Sequence, residues 1–244
     1  MNIPISEAFP WYTLEEVDST QNTALRILRD NRSFGGVLAR NQKAGRGRLG
    51  REWHSEPDAS LTATLIFREQ ANHPKPYLLG MALGVAAAGT MGCRVQWPND
   101  LVLDGFKVGG ILTEVQRDPD GQSVALVGIG LNLNQLRFPD EIAHRAASLR
   151  MITGQVYAPS AVVDAILAQL SALPEARNWP DLRPHWEPLD STPGKRFLLP
   201  TGETAVAKAV GPSGELICTV GDAERTVLAA DAIFGPQDPH LPAV

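Results

Sequence analysis

Asn41-Gln42-Lys43-Ala44-Gly45-Arg46-Gly47-Arg48-Leu49-Gly50-Arg51-Glu52-Trp53 is the stretch whose meaning decides the fold of this chain. Gly45 to Gly50 formally matches G-x-G-x-x-G, the phosphate-binding turn of a dinucleotide-binding fold. That fold needs a strand before the glycines and an apolar-faced helix opening on them. Val37–Arg40 reads as the strand, but Arg51-Glu52-Trp53-His54-Ser55-Glu56-Pro57 has no helical apolar period. Such a turn also holds pyrophosphate with backbone N–H groups and has no need of three arginines. The match is a coincidence, and G-x-x-x-x-G-K-S/T, the other common phosphate loop, occurs nowhere. What remains is a polar loop over Asn41–Ala59. Its glycines let it bend back over a ligand, and its guanidinium forks match carboxylate or phosphate oxygens. Repulsion among its cations predicts a flexible clamp, disordered when empty.

The same stretch explains the charge of the chain. Across 244 residues, 22 Lys+Arg face 27 Asp+Glu, a net charge of −5. Residues 40–51 nevertheless carry Arg40, Lys43, Arg46, Arg48 and Arg51 with no acid, so the remainder is strongly acidic. A short basic island in an acidic protein suits a small anionic ligand, whereas a polyanion such as DNA wants a longer basic footprint. A hydrophobic content of 43% excludes general disorder. Cys93 and Cys218 are far apart and read as two reduced, buried thiols. The longest apolar run, Leu78 to Thr90, is too short to span a bilayer, and the first residues lack the pattern of a signal peptide. The chain is expected to be cytoplasmic and not membrane-bound.

Outward from the loop, hydrophobic periodicity and turn residues predict alternating elements. Strands are expected near Tyr12–Val17, Val37–Arg40, Leu61–Phe67, Arg94–Gln96, Leu101–Leu103, Lys107–Val115 and Ser123–Leu133, with Asp104-Gly105 turning one hairpin and Asp118 to Gly121 the next. Helices are expected over Gln21–Asp30, capped from Asp18-Ser19-Thr20, and over Pro76–Gly89, Pro139–Ala143, Pro159–Leu173 and Asp181–Trp186. After Ser191 short strand-like runs alternate with glycine turns, the texture of a small β-barrel, which puts a domain boundary near 190.

Five motifs stand in one order: Val17-Asp18-Ser19-Thr20, the glycine-arginine stretch, Trp97-Pro98-Asn99-Asp100, Lys107-Val108-Gly109-Gly110-Ile111-Leu112, and Gly128-Ile129-Gly130-Leu131-Asn132. Together they resemble the biotin protein ligases, over about residues 11–150. Each is weak alone, and the ordered set is specific. The resemblance implies an α+β fold: a mixed-sheet catalytic domain of the biotin/lipoate-ligase type at 1–190, then a small SH3-like β-barrel at 191–244. It implies two half-reactions, in which biotin and ATP give biotinyl-5′-AMP and pyrophosphate, and a lysine of a biotin carboxyl carrier protein, a subunit of acetyl-CoA carboxylase, then takes the biotin and releases AMP. Magnesium is implied with ATP, its ligands unknown. Family members can form a homodimer through a sheet edge.

Roles follow from the same resemblance. Ser19, Thr20, Gln21 and Gln42 match positions around biotin, and hydroxyls and amides suit its ureido group. Arg46, Gly47 and Arg48 match the segment around the adenylate, with Arg48 between the biotin carboxylate and the α-phosphate and Arg51 assisting at the phosphates. Trp53 would stack on adenine in the nucleotide-bound, ordered state, with a hydrophobic core tryptophan as the alternative. Lys107 would polarise the biotinyl carbonyl, and Gly109 and Gly110 would let the ligand lie against the strand. Asn99 and Asp100 would hold ATP or magnesium or orient the incoming lysine, Asp100 as a general base, and Asn132 would lie near the nucleotide. Gln21, Gln96 and Ala147 depart from the usual Asn, Lys and Thr of the family. A lipoate or octanoyl transferase of the same broad fold, and a binding module without turnover, are the competing readings. With about ten residues before the first strand, no DNA-binding domain is expected.

Overall fold

The computed structural model describes residues 11–31, 35–68, 75–118, 120–174, 178–199 and 201–228. The first ten residues, Pro119 of the second expected turn and residues 229–244 of the expected C-terminal domain lie outside them. Chain order begins with β1 (Trp11–Val17), α1 (Thr20–Ile27) and β2 (Gly36–Gln42), a strand-helix-strand unit whose two strands pair in parallel. The clamp stretch follows as β3 (Gly45–Arg46), a 3-10 turn at Arg48–Gly50 and β4 (Glu52–Trp53). Then come β5 (Ser60–Phe67), α2 (Tyr77–Met91), β6 (Arg94–Gln96), β7 (Asp100–Leu103), β8 (Phe106–Arg117) and β9 (Ser123–Asn132).

Seven of these strands form one mixed sheet ordered β1-β2-β5-β9-β8-β7-β6, in which every pair but the first is antiparallel. β5 and β9 lie in its middle, which is why both read as nearly continuous apolar runs. One face of the sheet carries α1, whose Ala24 and Leu28 pack with Val37, Ile66, Val124 and Leu126. The other face holds the larger core. There α2 is buried along most of its length by small residues. Gly80 brings it close to β8, where an added Cβ would lie 2.3 Å from Thr113 Oγ1.

α3 (Asp140–Ala143), α4 (Leu149–Thr153), α5 (Pro159–Ala172) and α6 (Trp179–Trp186) complete the helices. α4 was not expected from the sequence. Five residues carry no readable period, and its one signal is Ser148, whose Oγ accepts from the Met151 N–H at 3.1 Å. The end of the chain forms β10 (Arg196–Leu198), β11 (Thr204–Val210), β12 (Leu216–Val220) and β13 (Ala223–Val227). They make an antiparallel sheet in chain order. Among the described residues it is a sheet of four strands whose two edges are not paired with each other, and residues 229–244 of the expected small barrel lie outside them. Its apolar residues Phe197, Ala205, Leu216 and Cys218 belong to the same core as α2 and α5.

Trp97 ties that sheet to the rest. Its indole N–H donates to Gly214 O at 2.9 Å, and its backbone N–H donates to Thr192 Oγ1 at 2.7 Å. The Trp97–Pro98 peptide is cis. Cys93 and Cys218 are free and buried, as expected, and burial pushes the Cys93 thiol up to about 12. Among the described residues no helix is long and apolar enough to cross a membrane.

Candidate functional site

The start of α1, the clamp stretch, the β7–β8 hairpin and the face of β9 surround one cavity of about 510 Å³. Its floor is the sheet itself, opened by glycines at alternate positions of β9. An added Cβ on Gly130 would lie 2.5 Å from the Trp53 ring, and one on Gly128 would lie 3.3 Å from Gln21 Nε2. Those glycines therefore let an indole and an amide lie flat on the strand. The sequence motif contained them without assigning them a role. Their signal was the spacing of two within an otherwise apolar strand.

The α1 wall is polar and buried. Ser19, Thr20 and Gln21 are between 3% and 4% exposed, too little for ordinary surface residues. Ser19 occupies the N-cap position but makes no side-chain capping bond. Its neighbour Asp18 pairs with Arg26 at 2.6 Å, and those hydrogen bonds hold the carboxyl well below the usual range. The Ser19 hydroxyl is thereby left for the cavity. Gln42 Oε1 accepts from the Thr20 backbone N–H at 2.8 Å and from its hydroxyl at 3.1 Å, while Thr64 donates to Thr20 Oγ1. With its oxygen fixed, Gln42 keeps Nε2 as the free donor. Gln21 is the converse: its Nε2 donates to Leu112 O and Leu126 O, so it can offer the cavity only its oxygen.

The clamp lies folded over the cavity. β3 and β4 pair, the Gly47 N–H donates to Arg51 O at 2.8 Å, and Gly50 takes a φ of +71° that favours glycine. Two of the five island cations point elsewhere: Arg40 pairs with Asp58 and Glu15, and Lys43 with Glu16. Neutralised by acids outside the stretch, they leave Arg46, Arg48 and Arg51 as the cations of the island that line the cavity. Arg46 reaches Glu114 at 3.3 Å, and Arg48 donates to Asn99 Oδ1 at 3.3 Å. Burial lowers the affinity of Arg48 for its proton, opposed by Asp100 and aided by Arg51, yet a guanidinium stays charged.

On the hairpin wall, Lys107 Nζ pairs with Asp100 Oδ1 at 2.5 Å. A register shift between Leu101 and Val102 accompanies this cross-strand meeting. The Lys107 backbone is held by Arg145 O and the Ala147 N–H. Asn99 donates from Nδ2 to Ile111 O at 2.7 Å while accepting from Arg48, so its amide orients the arginine. Asn132 donates to Ala147 O, and Ala147 thus contributes through its backbone. Gly110 lines the cavity. Gly109 does not, which corrects the expectation for it: an added Cβ there would lie 2.5 Å from Leu131 Cδ2 and 2.8 Å from Gly130 O. Side positions alternate along a strand, so only one of two adjacent glycines can face the ligand.

Seven cations line the cavity (Arg46, Arg48, Arg51, Lys107, Arg145, Lys195 and Arg196) against two carboxylates, Glu52 and Asp100. Arg145, Lys195 and Arg196 were not anticipated, since they come from segments far from the motifs and carry no local pattern. Gln96 lines it too. Among the described residues the buried Trp53 Nε1 has no hydrogen-bond partner. Among the described residues no cluster of three or more His, Cys, Asp or Glu is arranged for a metal ion.

Comparison with known proteins gives the following likenesses. The sequence model of the biotin/lipoate A/B protein ligase family matches residues 14–134. The bifunctional ligase/repressor BirA of Bacillus subtilis is 36% identical over 160 residues, which cover 62% of this chain but 49% of BirA, so the chain spans about half the length of that relative. The biotin–[acetyl-CoA-carboxylase] ligase of Paracoccus denitrificans is 29% identical over 91% of this chain and 99% of its own length. Among solved structures, a biotin protein ligase from Aquifex aeolicus in complex with biotin and ATP superposes with a TM-score of 0.74 at 26% identity, covering 91% of this chain and 97% of its own.

Proposed function

The chain belongs to the biotin/lipoate A/B protein ligase family, and from that premise we propose that it joins biotin to a lysine of a biotin carboxyl carrier protein, such as the acetyl-CoA carboxylase subunit, using ATP. The observation that carries this reading is the meeting, in one cavity, of the buried Ser19 and Thr20 and the half-buried Gln42 with Arg48 and Lys107. The first group suits a neutral ureido ring with one acceptor and two donors, and the second suits a carboxylate beside a phosphate.

In the first half-reaction a biotin carboxylate oxygen attacks the α-phosphorus of ATP. The new O–P bond forms as the bond to the β-phosphate oxygen breaks, and pyrophosphate leaves. Two anions repel on approach. Arg48, half withdrawn from water and aimed by Asn99, offsets that repulsion with Arg46 and Arg51 beside it. Lys107, held by Asp100, meets the charge that builds on the carboxyl and α-phosphate oxygens. Gln42 Nε2 donates to the ureido carbonyl, the Ser19 hydroxyl donates to or accepts from the ureido group, and Gln21 adds an acceptor. Trp53, flat on Gly130, offers its ring to adenine, with Asn132 nearby. ATP brings magnesium, which takes most of its oxygens from phosphate and water and needs only one or two protein carboxylates; Asp100 is the half-buried one available.

In the second half-reaction the carrier lysine attacks the acyl carbon, an amide forms, and AMP departs with the electron pair. Asp100 is the candidate base, and that role requires it to release Lys107. Asp100→Asn separates the possibilities: normal transfer from preformed biotinyl-AMP rules the base role out. Basic side chains gathered in one cavity support a small anionic ligand over DNA. Reduced, buried thiols suit a cytoplasmic setting, and a homodimer would pair through a sheet edge, β1 or β6.

Exchange of labelled pyrophosphate into ATP tests the adenylation. Exchange that requires biotin is expected. Exchange that requires lipoate instead would overturn the choice of substrate, and biotin binding without any exchange would make the protein a binding module.

A further inference from the structure

We propose that Lys195 binds the β- and γ-phosphates of ATP and the departing pyrophosphate, which makes the C-terminal segment part of the ligase site. This rests on the adenylation reading above and assigns it a residue from outside the family-matched region, which ends at residue 134.

Lys195 lines the cavity that the clamp's cations also line, and Arg196, its neighbour in sequence, lines it too. Among the described residues its ammonium makes no ion pair or hydrogen bond, although Asp100 is near enough to act on it electrostatically. Asp100 is already engaged by Lys107 at 2.5 Å, so one carboxylate faces two lysines. Burial pushes the Lys195 ammonium below the ordinary lysine range, and a half-buried cation without a partner is costly until an anion reaches it.

The backbone there is also held in place. The Lys195 N–H donates to Thr192 O at 3.1 Å, the Ala207 N–H donates to Lys195 O at 2.8 Å, and Gly194 turns the chain at a φ of +82°. Thr192 Oγ1 accepts from the Trp97 N–H, which joins this turn to the segment bearing Asn99 and Asp100. The lysine is thus fixed relative to Asp100 and not carried on a free tail.

Arg48 and Lys107 are sufficient for the biotin carboxylate and the α-phosphate. The remaining negative charge of ATP lies on the β- and γ-phosphates, and it leaves with pyrophosphate. A cation there acts in the first half-reaction and has no partner in the second, where only AMP is released.

The test measures the two half-reactions separately in Lys195→Gln and Lys195→Arg. In Lys195→Gln the KM for ATP in biotin-dependent exchange should rise about tenfold or more, the scale of one charge-assisted hydrogen bond. Inhibition by added pyrophosphate should weaken by a similar factor. Transfer from preformed biotinyl-AMP to a carrier domain, and biotin binding by calorimetry, should stay as in the wild type. Lys195→Arg should recover most of the ATP affinity. Unchanged ATP and pyrophosphate dependence in Lys195→Gln would overturn the proposal. So would equal loss in both half-reactions with KM unchanged, which marks a structural residue. Failure of the wild type itself to exchange would instead overturn the adenylation reading and this proposal with it.

Discussion

Lys107 and Asp100 meet at 2.5 Å in the cavity wall, with 38% and 25% of their side chains exposed. A pair that wet adds little to stability; under the adenylation proposed above its value is placement, with the ammonium held for the acyl phosphate. Lys107→Ala should therefore slow biotinyl-AMP formation about 10²–10³-fold, the scale for loss of one preorganised charge stabiliser. Thermal unfolding should barely move. Single-turnover quench of the adenylate checks this, and a wild-type rate would remove the lysine from the mechanism. By residue pattern alone Lys107 is an ordinary hairpin lysine; the motif around it singled it out. Its pairing with Asp100 was not legible, because it depends on a register shift between Leu101 and Val102 that spacing does not reveal. Lys195 lacked even a motif.

Elements bring the walls of the cavity together, and glycines set how closely. Gly130→Ala would push a methyl into the Trp53 ring, whereas Gly128→Ala meets the end of the Gln21 side chain, which can shift. The first substitution should raise the KM for ATP several-fold and change tryptophan fluorescence; the second should be milder in both. Equal effects would mean that Trp53 does not rest on β9 as described. Behind the sheet, Gly80→Ala should destabilise by about 1–3 kcal/mol through its contact with Thr113 Oγ1. Thr113→Ala in the same chain should recover most of that in denaturant unfolding, and simple additivity of the two losses would refute the contact. Periodicity located the long strands and α2 to within a few residues, because burial on one or both faces leaves a pattern. The β3–β4 ribbon left none: it is held by Trp53 on Gly130 and by Arg48 on Asn99, contacts between segments distant in sequence.

The whole molecule joins a seven-stranded sheet to a four-stranded one through Trp97, Thr192 and Asp190. Asp190 is half-buried, and burial raises its affinity for a proton despite hydrogen bonds from Thr192 that favour the anion. A carboxyl raised in the folded state favours folding most when protonated. Its contribution should fall as pH climbs from the usual aspartate value, about 4, through the raised folded one, and then level off. Asp18, Asp58 and Glu203 are lowered and act in the opposite direction, losing their contribution as pH falls. The readout is therefore the difference between wild type and Asp190→Asn in denaturant midpoint across that window. The variant should gain relative stability as pH rises; a constant difference would show that Asp190 does not titrate there. The most direct test of the function is intact mass of a biotin carboxyl carrier domain incubated with the enzyme, ATP and biotin. One biotin should be added at the acceptor lysine, with equimolar AMP and pyrophosphate and no product on a Lys→Arg carrier. A carrier left unmodified by the folded protein, or modified only when lipoate replaces biotin, would contradict it.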